Sequence, residues 1–257
     1  MFSIVIRNKN EASHLEKVLS ILKQMYSSDF DDIIIVDNKS TDNSLAIAKK
    51  YNCKIVHIDQ FSYGKAINLG IQAAKNNYIL LLSAHAVPIG QSFFKNALNL
   101  LNSKKNIAGL RYINSYANYD RSLKNDFLIT QPLKYGLMAA CCIVVKDVWE
   151  NHKFDENLPF SEDKEWSNRV INNGFNIYDI NETFYYFIKR NQKSELVRFK
   201  NETLAAYQLK VEKLPSTVSI IVDLIKRLFY LNPKLFIVNS KLDIKKAIIK
   251  QKLKNKF

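Results

Sequence analysis

Two adjacent carboxylates, Glu162 and Asp163, stand between the aromatic residues Phe160 and Trp166. Apolar neighbours raise the pKa of a carboxyl group towards neutral pH, where it can act as a general base. Carboxylates are also common in the first turn of a helix, where they simply complement the helix dipole. The residues by themselves therefore leave two interpretations open, proton transfer or an ordinary helix start.

Asp37 and His85 each follow an apolar run that is typical of a buried β-strand. Asp37 comes directly after residues 33–36, and His85 follows residues 78–82 within the sequence Ser-Ala-His-Ala. In α/β sheets, ligands bind in the crevice outside the carboxyl ends of the strands. A carboxylate there can accept hydrogen bonds from a base or a ribose, and an imidazole can bind a metal ion. We expect both residues in such a crevice, although a strand-end histidine also fits an ordinary polar loop.

The elements that position these side chains alternate between strand and helix in the first half of the chain. Ser13 and Glu16 predict a capping box at the start of the first helix, and residues 40–42 are predicted to cap the second. Apolar runs separated by amphipathic helices indicate a mostly parallel sheet that is covered by helices on both faces. The strands predicted here are 2–6, 33–36, 54–58 and 78–82.

The second half of the chain has a less regular pattern. Residues 161–173 are predicted to form a helix with Glu162 and Asp163 in its first turn. The polar segment 114–125, rich in Tyr and Asn, is predicted to be a loop over the site. Further strands are predicted at 107–112, 141–145, 175–180 and 184–188.

The positive charge of the chain is concentrated near its end. The net charge is +14, and residues 188–257 carry 17 Lys and Arg against 5 Asp and Glu. Pro215 and Pro233 are predicted to separate helical segments there, of which 218–231 and 244–253 combine apolar and basic residues. Such segments indicate docking on an anionic membrane surface, although they also fit packing on the rest of the protein. Aromatic residues do not alternate with the basic ones, which argues against nucleic-acid binding.

The remaining sequence features indicate a cytoplasmic protein. No run of about 18 uncharged apolar residues is present, so no membrane-spanning helix is predicted. The N-terminus is typical of a first strand rather than of a signal peptide. Cys53, Cys141 and Cys142 lack C-x-x-C spacing, and we interpret them as buried thiols in a reducing compartment.

Four segments resemble, in order, the motifs of the GT-A nucleotide-sugar glycosyltransferases of the large inverting family 2. They are residues 3–11, residues 35–44 around Asp37, residues 61–70 with the pattern Gly-Lys-Ala-x-Asn-x-Gly, and residues 154–175 around Glu162 and Asp163. The resemblance implies a GT-A, Rossmann-like α/β fold over residues 1–193, with a nucleotide-binding half up to about residue 105 and an acceptor half after it. Residues 194–257 would form a basic, helical C-terminal extension.

The resemblance also implies a role for each matching residue. Asp163 would be the general base and Glu162 its supporter. The residues implied in binding the nucleotide are Ile6 and Arg7 through their backbone, Asp37 at the base, and Glu11, Lys65 and His85 near the diphosphate.

The metal site is where this chain departs from the family pattern. Many members carry an aspartate that binds Mn²⁺ or Mg²⁺ at the position of His85, and a late histidine where Phe187 stands here. His85 is therefore interpreted either as a metal ligand or as a direct contact of the diphosphate without a metal. His14, His57 and His152 have no such context and are interpreted as structural.

The resemblance implies an inverting transfer of a sugar from a UDP- or dTDP-linked donor to a hydroxyl of a glycan or lipid-linked acceptor. Similar proteins build bacterial surface polysaccharides such as capsule or lipopolysaccharide, at the inner face of the cytoplasmic membrane. The alternative is a catalytically inactive GT-A domain that binds nucleotide sugars or glycans, because His85 and Phe187 replace expected residues.

Overall fold

The computed structural model describes residues 1–188 and 191–254, apart from the side chains of 243 and 246–254. The strands are β1 (Phe2–Asn8), β2 (Phe30–Asp37), β3 (Lys54–His57), β4 (Tyr78–Ser83), β5 (Ala86–Ile89), β6 (Ile107–Tyr112), β7 (Cys141–Val145), β8 (Asn176–Ile180) and β9 (Thr183–Tyr186). The helices are α1 (Ala12–Met25), α2 (Ser44–Lys50), α3 (Tyr63–Ala73), α4 (Phe93–Ser103), α5 (Tyr116–Lys124), α6 (Pro132–Tyr135), α7 (Lys146–Asn151), α8 (Glu162–Asn172), α9 (Gln192–Gln208), α10 (Thr217–Lys226) and α11 (Asn232–Lys254).

A seven-stranded sheet has the order β3-β2-β1-β4-β7-β6-β8. β1 is parallel to β2 and β4, β2 is parallel to β3, and β6 is parallel to β8. Only β7 runs antiparallel to its neighbours in this sheet, β4 and β6. The interior residues of β1 are buried on both faces of the sheet, and its sequence is therefore largely a continuous apolar run. The predicted mostly parallel sheet is confirmed.

The strands β1, β2, β4, β6 and β8 all end at one edge, because the two antiparallel pairings of β7 restore the strand direction. Asn8, Asp37 and Ser83 are the last residues of β1, β2 and β4 at this carboxyl edge. β7 begins there, with Cys141 opposite Leu82. The segment that precedes β7 is thereby brought next to the ends of the parallel strands.

A small second sheet covers part of this edge. β5 pairs antiparallel with β9, and the Phe187 N–H donates to the His85 carbonyl at 3.0 Å. The apolar pattern predicts a strand at 184–188 but not that this strand leaves the main sheet. As a result, Phe187 packs against both His85 and His14.

Two glycines allow α3 to pack closely on its neighbours. A Cβ atom at Gly64 would lie 2.1 Å from the carbonyl oxygen of Asp155, and one at Gly70 would lie 2.2 Å from Cγ1 of Val5. Both distances are far below van der Waals contact. Any larger residue would therefore push α3 away from the sheet or from the chain at Asp155.

Asn68 joins α3 to the segment that follows α7. Its amide donates to the Phe154 carbonyl and to Glu156 Oε1, both at 2.9 Å. Its Oδ1 accepts from Trp149 Nε1 at 2.9 Å and from the Phe154 N–H at 3.0 Å. Asn68 is buried, so these bonds satisfy polar groups that water cannot reach.

The predicted cap of α1 is wrong, and that of α2 is right only for Asp42. α1 begins at Ala12, and neither Ser13 nor Glu16 caps it. Instead, the Ala12 N–H donates to Asp42 Oδ2 at 2.9 Å, so the cap comes from the neighbouring loop. α2 begins only at Ser44, and of residues 40–42 only Asp42 bonds its first N–H groups.

The predicted loop at 114–125 is wrong as well, because most of it forms α5. Ser115 caps this helix by accepting from the Asn118 N–H at 3.3 Å. Arg121 and Ser122 donate to the buried carboxylate of Asp179, at 2.6 and 2.8 Å. Tertiary contacts with β8 thus override the weak helix propensity of the segment.

By its internal contacts the chain divides into two compact units, Met1–Val211 and Glu212–Phe257. The predicted domain boundary at residue 193 stays a prediction. In the second unit the chain is helical from Thr217 to Lys254, with a π-helical stretch at Arg227–Leu231. The prediction that Pro233 separates two helices is wrong, because helical backbone continues through it: Pro233 is the second residue of α11 and follows the π-helical stretch directly.

Large apolar side chains of α10, the π-helical stretch and the start of α11 are exposed, among them Ile221, Phe229 and Phe236. The side chains of the predicted basic segment 244–253 lie almost entirely outside the described residues. None of the helices in the described ranges is both long and apolar enough for a membrane span. Cys141 and Cys142 are buried as predicted, whereas Cys53 is only partly so, and all three are free thiols.

Replacing Asn68 by Ala should destabilise the fold by about 3 kcal/mol, because it leaves several buried donors and acceptors of residues 149–156 unpaired. Chemical denaturation followed by circular dichroism measures the loss. Asn172→Ala, which removes an exposed amide from α8, is the matched control and should change stability by less than about 0.5 kcal/mol. Equal stability of the two variants would contradict the bridging role of Asn68.

Candidate active site

The loops that follow β1 and β2 are tied to each other at the carboxyl edge. Ser40 Oγ accepts from Asn8 Nδ2 at 3.0 Å and from the Asn10 N–H at 2.9 Å. Asn10 Oδ1 accepts in turn from the Thr41 N–H at 2.7 Å. Asn10 and Lys39 both adopt left-handed backbone conformations, with φ of 53° and 52°. The two loops therefore act as one rigid rim around the ends of the strands.

Asp37 lies under this rim and is 1% exposed. Its Oδ1 accepts from Asn8 Nδ2 and its Oδ2 from the Ser40 N–H, both at 3.0 Å. Asn8 Oδ1 is buried beside it and accepts no hydrogen bond from the described residues. An unpaired buried acceptor costs about 1–3 kcal/mol. The N–H or O–H of a ligand could satisfy it.

An ion pair joins the end of β1 to the start of α8. Arg7 Nη1 lies 3.1 Å from Glu162 Oε1, and Arg7 Nη2 donates to the Ala139 carbonyl at 3.3 Å. The guanidinium also stacks on the ring of Tyr63, 5.2 Å from its centroid. Arg7 thus connects the strand edge, α3 and α8 at one point.

Glu162 is a buried carboxyl group beside a second one. Burial raises the pKa of Glu162, the charge of Asp163 raises it further, and the Arg7 guanidinium opposes both effects. Closely spaced carboxylates in a partly apolar site are the setting in which a carboxyl group exchanges protons near neutral pH. The carboxyl group whose pKa is raised is Glu162, and the predicted roles of the pair in proton transfer stay predictions.

Asp163 is half-buried, and its Oδ2 accepts from the Ala139 N–H at 2.8 Å. The segment that carries Ala139 is held by Lys164, whose Nζ donates to the carbonyls of Gly136 and Leu137 at 2.7 and 2.6 Å. Ser161, directly before the carboxylate pair, has a φ of 62°. This left-handed turn is costly for a non-glycine residue and aims the start of α8 at the carboxyl edge.

A second group of titratable side chains lies at the same edge. Glu11 Oε2 is 2.8 Å from His14 Nδ1, and Glu11 Oε1 is 3.1 Å from His85 Nε2. One ligand atom of each residue lies within 4.8 Å of the others. A carboxylate oxygen and two imidazole nitrogens form a donor set that suits a divalent transition-metal ion. The residues present therefore fit the metal ion that the family resemblance implies.

The structure brings most of the predicted site residues together, but not all. Arg7, Glu162 and Asp163 form one group, and Glu11 and His85 form another. The Ile6 side chain lies in the hydrophobic core, and no hydrogen bond or ion pair of the Lys65 ammonium group joins it to other described residues. The roles of these two stay predictions.

Sequence reasoning missed His14 and Asn8. His14 was interpreted as structural because it has no motif around it, yet it lies three residues after Glu11, on the same side of the first turn of α1. The i, i+3 spacing was a usable signal. For Asn8, the usable signal was its position just after the predicted strand 2–6.

An open cavity of about 450 Å³ lies past the carboxyl ends of β6 and β8. It is lined by Ile113, Asn114, Ser115, Tyr116, Tyr119, Asn181, Glu182 and Thr183. Asn114 contacts the sulfur of Met138 at 3.7 Å, next to the residue that binds Asp163. The cavity therefore lies on the side of the carboxylate pair away from β2 and Asp37.

Comparison with curated proteins finds a relative named for teichoic acid biosynthesis. The chain is 26% identical over 215 residues to the minor teichoic acid biosynthesis protein GgaB of Bacillus subtilis strain 168. This match covers 77% of the chain but only 24% of GgaB. The chain thus corresponds to a fraction of that relative.

Solved structures share the fold at low sequence identity. The mannosyltransferase PcManGT of Pyrobaculum calidifontis, solved with GDP-Man and Mn²⁺, matches with a TM-score of 0.65 and 12% identity over 84% of this chain and 65% of that one. Residues 1–349 of S. aureus TarS, solved with UDP-GlcNAc, match with a TM-score of 0.57 and 19% identity over 74% of this chain and 59% of that one.

The family assignment comes from the sequence itself. The profile of Glycosyl transferase family 2 matches residues 3–154, which is more than half of the chain. This range contains the rim, Arg7 and the Glu11–His14–His85 group. The predicted resemblance is confirmed: the chain belongs to glycosyl transferase family 2 and has the GT-A fold.

Proposed function

We propose that the protein is an inverting glycosyltransferase that moves a sugar from a UDP- or dTDP-linked donor to a hydroxyl of a glycan or lipid-linked acceptor. One observation carries this proposal: the half-buried carboxylate of Asp163 lies at the carboxyl edge of the sheet, beside the Arg7–Glu162 ion pair. A general base must stand at such a ligand-binding edge to meet both substrates.

The reaction is a single in-line displacement at the anomeric carbon of the sugar. Asp163 takes the proton from the acceptor hydroxyl while the hydroxyl oxygen forms a bond to the anomeric carbon. At the same time the bond from that carbon to the diphosphate oxygen breaks. Glu162 supports Asp163 by holding the first turn of α8 against Arg7. The Ala139 N–H orients the Asp163 carboxylate, so that its other oxygen can receive the proton.

The nucleotide would bind under the rim. Asp37 and the unpaired Asn8 Oδ1 offer buried acceptors, which suit the N–H of a pyrimidine base or a ribose hydroxyl. The backbone around Ile6 and Arg7 would line the pocket, with Glu11, Lys65 and His85 nearer the diphosphate. The nucleotide sugars bound to the two structural neighbours support a nucleotide-sugar donor here.

A divalent ion, Mn²⁺ or Mg²⁺, would be held by His85 with Glu11, and it would neutralise the charge that develops on the departing diphosphate. Direct contact of His85 with the diphosphate, without a metal ion, is the alternative. The acceptor would occupy the cavity beside Asn114, whose amide and tyrosine lining offers hydrogen bonds and ring faces to a sugar. The match to GgaB, a teichoic acid biosynthesis protein, supports an acceptor in bacterial surface-polymer synthesis, of which capsule and lipopolysaccharide are other proposed cases.

The C-terminal extension would dock on the anionic inner face of the cytoplasmic membrane, where lipid-linked acceptors are held. Its exposed apolar side chains include Ile221, Phe229 and Phe236, and Lys226 and Lys234 lie among them. Apolar burial together with attraction of basic residues to anionic lipid is sufficient for peripheral binding.

The donor is identified by a thermal-shift screen of nucleoside diphosphates and nucleotide sugars, with and without Mn²⁺. A ligand that binds only the folded protein raises the unfolding temperature. We expect UDP or dTDP compounds to give the largest shifts. If donors bind but no nucleoside diphosphate is ever released from them, the protein is an inactive binding module and the proposed transferase is refuted.

Asp163→Asn should keep donor binding and lose about 10²-fold or more in the release of nucleoside diphosphate, since the general base is removed. Release from the bound donor, with water or a glycan as acceptor, is the measurement. Glu165→Gln alters a carboxylate two residues along α8 that pairs with Arg169, and it should stay near wild type. Similar rates for the Asp163→Asn variant and wild type would remove Asp163 as the base.

Asp37→Asn should weaken UDP binding about ten- to a hundredfold, because a buried hydrogen bond to the base is lost. Isothermal titration calorimetry measures the affinity. Inorganic pyrophosphate, which has no base, is the control ligand and should bind both proteins alike. Parallel losses for UDP and pyrophosphate would indicate a collapsed rim instead of base recognition.

The full-length protein should float with phosphatidylglycerol vesicles and much less with phosphatidylcholine vesicles, and high salt should release it. Substituting Lys226, Arg227 and Lys234 by Glu should abolish flotation. The matched control substitutes Lys75, Lys95 and Lys105 of the first unit by Glu and has the same net charge. Equal flotation of the two variants would contradict docking through the extension.

A further inference from the structure

Glu11, His14 and His85 come from two places in the fold, the start of α1 and the turn after β4. Glu11 is the residue before α1, His14 lies in the first turn of α1, and His85 lies in the turn between β4 and β5. All three are half-buried. Their meeting point is therefore set by the packing of α1 against the end of β4.

The Glu11 carboxylate stands between the two imidazoles. Its two oxygens lie 2.8 Å from His14 Nδ1 and 3.1 Å from His85 Nε2, and the rings of the two histidines are 4.8 Å apart. Ligand atoms that share an ion at about 2 Å lie no more than about 4 Å apart. Because the present spacing is at most 4.8 Å, small side-chain rotations would bring all three onto one ion.

The surroundings hold these side chains in place. The Glu11 N–H donates to Ser44 Oγ at 3.2 Å, and its carbonyl accepts from the Leu15 N–H at 2.8 Å. Phe187 packs on both histidine rings, with centroids 5.4 Å from His14 and 6.4 Å from His85. An apolar ring at this place restricts the rotamers of the imidazoles and excludes water from one side of the group.

We propose that Glu11, His14 and His85 form a divalent-metal site in which His14 is a direct ligand, and that the site selects Mn²⁺ over Mg²⁺. Mg²⁺ prefers oxygen ligands and gives up water reluctantly, whereas Mn²⁺ and later transition metals accept imidazole nitrogen. Two imidazoles among three ligands therefore disfavour Mg²⁺. Contact between the bound ion and the donor diphosphate rests on the proposed function. Binding of the ion itself is independent of that function.

Mn²⁺ binding is measured by electron paramagnetic resonance on the full-length protein, because the signal of free aqueous Mn²⁺ disappears when the ion binds. Titrations are made with Mn²⁺ alone and with Mn²⁺ plus UDP. We expect one Mn²⁺ per chain, which about a hundredfold excess of Mg²⁺ displaces only in part. His14→Ala and His85→Ala should each weaken Mn²⁺ binding about tenfold or more, since even indirect metal partners contribute that much.

His152→Ala is the matched control, because His152 contacts the ring of Phe175 and lies outside the group. If His14→Ala does not fold, His14→Gln keeps the size and polarity of the side chain and removes the imidazole. Mn²⁺ affinity equal to that of wild type in the His14 variant, with and without UDP, would overturn the proposal. Displacement of Mn²⁺ by an equal amount of Mg²⁺ would overturn the selectivity.

The two proposals fail separately. If every variant binds Mn²⁺ as tightly as wild type and nucleoside diphosphate is still released in EDTA, the metal site is refuted and the transferase stands. Mn²⁺ binding that depends on His14, in a protein that releases nothing from any bound donor, would refute the transferase and leave the metal site standing.

Discussion

The ion pair between Arg7 and Glu162 is the contact on which the organisation of the site depends. It joins residues far apart in the chain, at the end of β1 and at the start of α8. Breaking a buried pair by removing one partner leaves an uncompensated charge, which is strongly unfavourable. The pair therefore fixes the carboxylates of α8 relative to the end of β1, and through the rim relative to Asp37.

The antiparallel strand β7 is the second constraint. In an all-parallel sheet, the segment before a strand lies at the amino edge, far from the ligand-binding crevice. Because β7 is reversed, residues 136–140 reach the carboxyl edge, where the Ala139 N–H binds Asp163 and the Ala139 carbonyl binds Arg7. Lys164 holds this segment from α8. One reversed strand thus supplies the backbone that orients the candidate base.

The structure explains why glycine and asparagine stand in the Gly-Lys-Ala-x-Asn-x-Gly pattern, which the family resemblance alone did not explain. Gly64 and Gly70 permit contact distances that no side chain allows, and Asn68 satisfies the backbone of Phe154 and the Trp149 indole. These residues hold the segment that leads into the carboxylate pair. Of the motif, only Lys65 is left for a direct role at the nucleotide, and that role stays a prediction.

The sequence by itself determined the strands of the seven-stranded sheet, their mostly parallel arrangement and the places where Asp37, His85 and the Glu162–Asp163 pair would stand, because apolar periodicity and strand ends are local properties of the chain. Only the tertiary structure decided what those residues touch. The cap of α1 comes from Asp42 in the neighbouring loop rather than from Ser13 and Glu16, and segment 114–125 forms a helix because the buried Asp179 binds it. Glu11 and His14 are neighbours on α1 by their i, i+3 spacing, but their meeting with His85 was decided by packing, because contacts between distant segments are recorded in no local pattern.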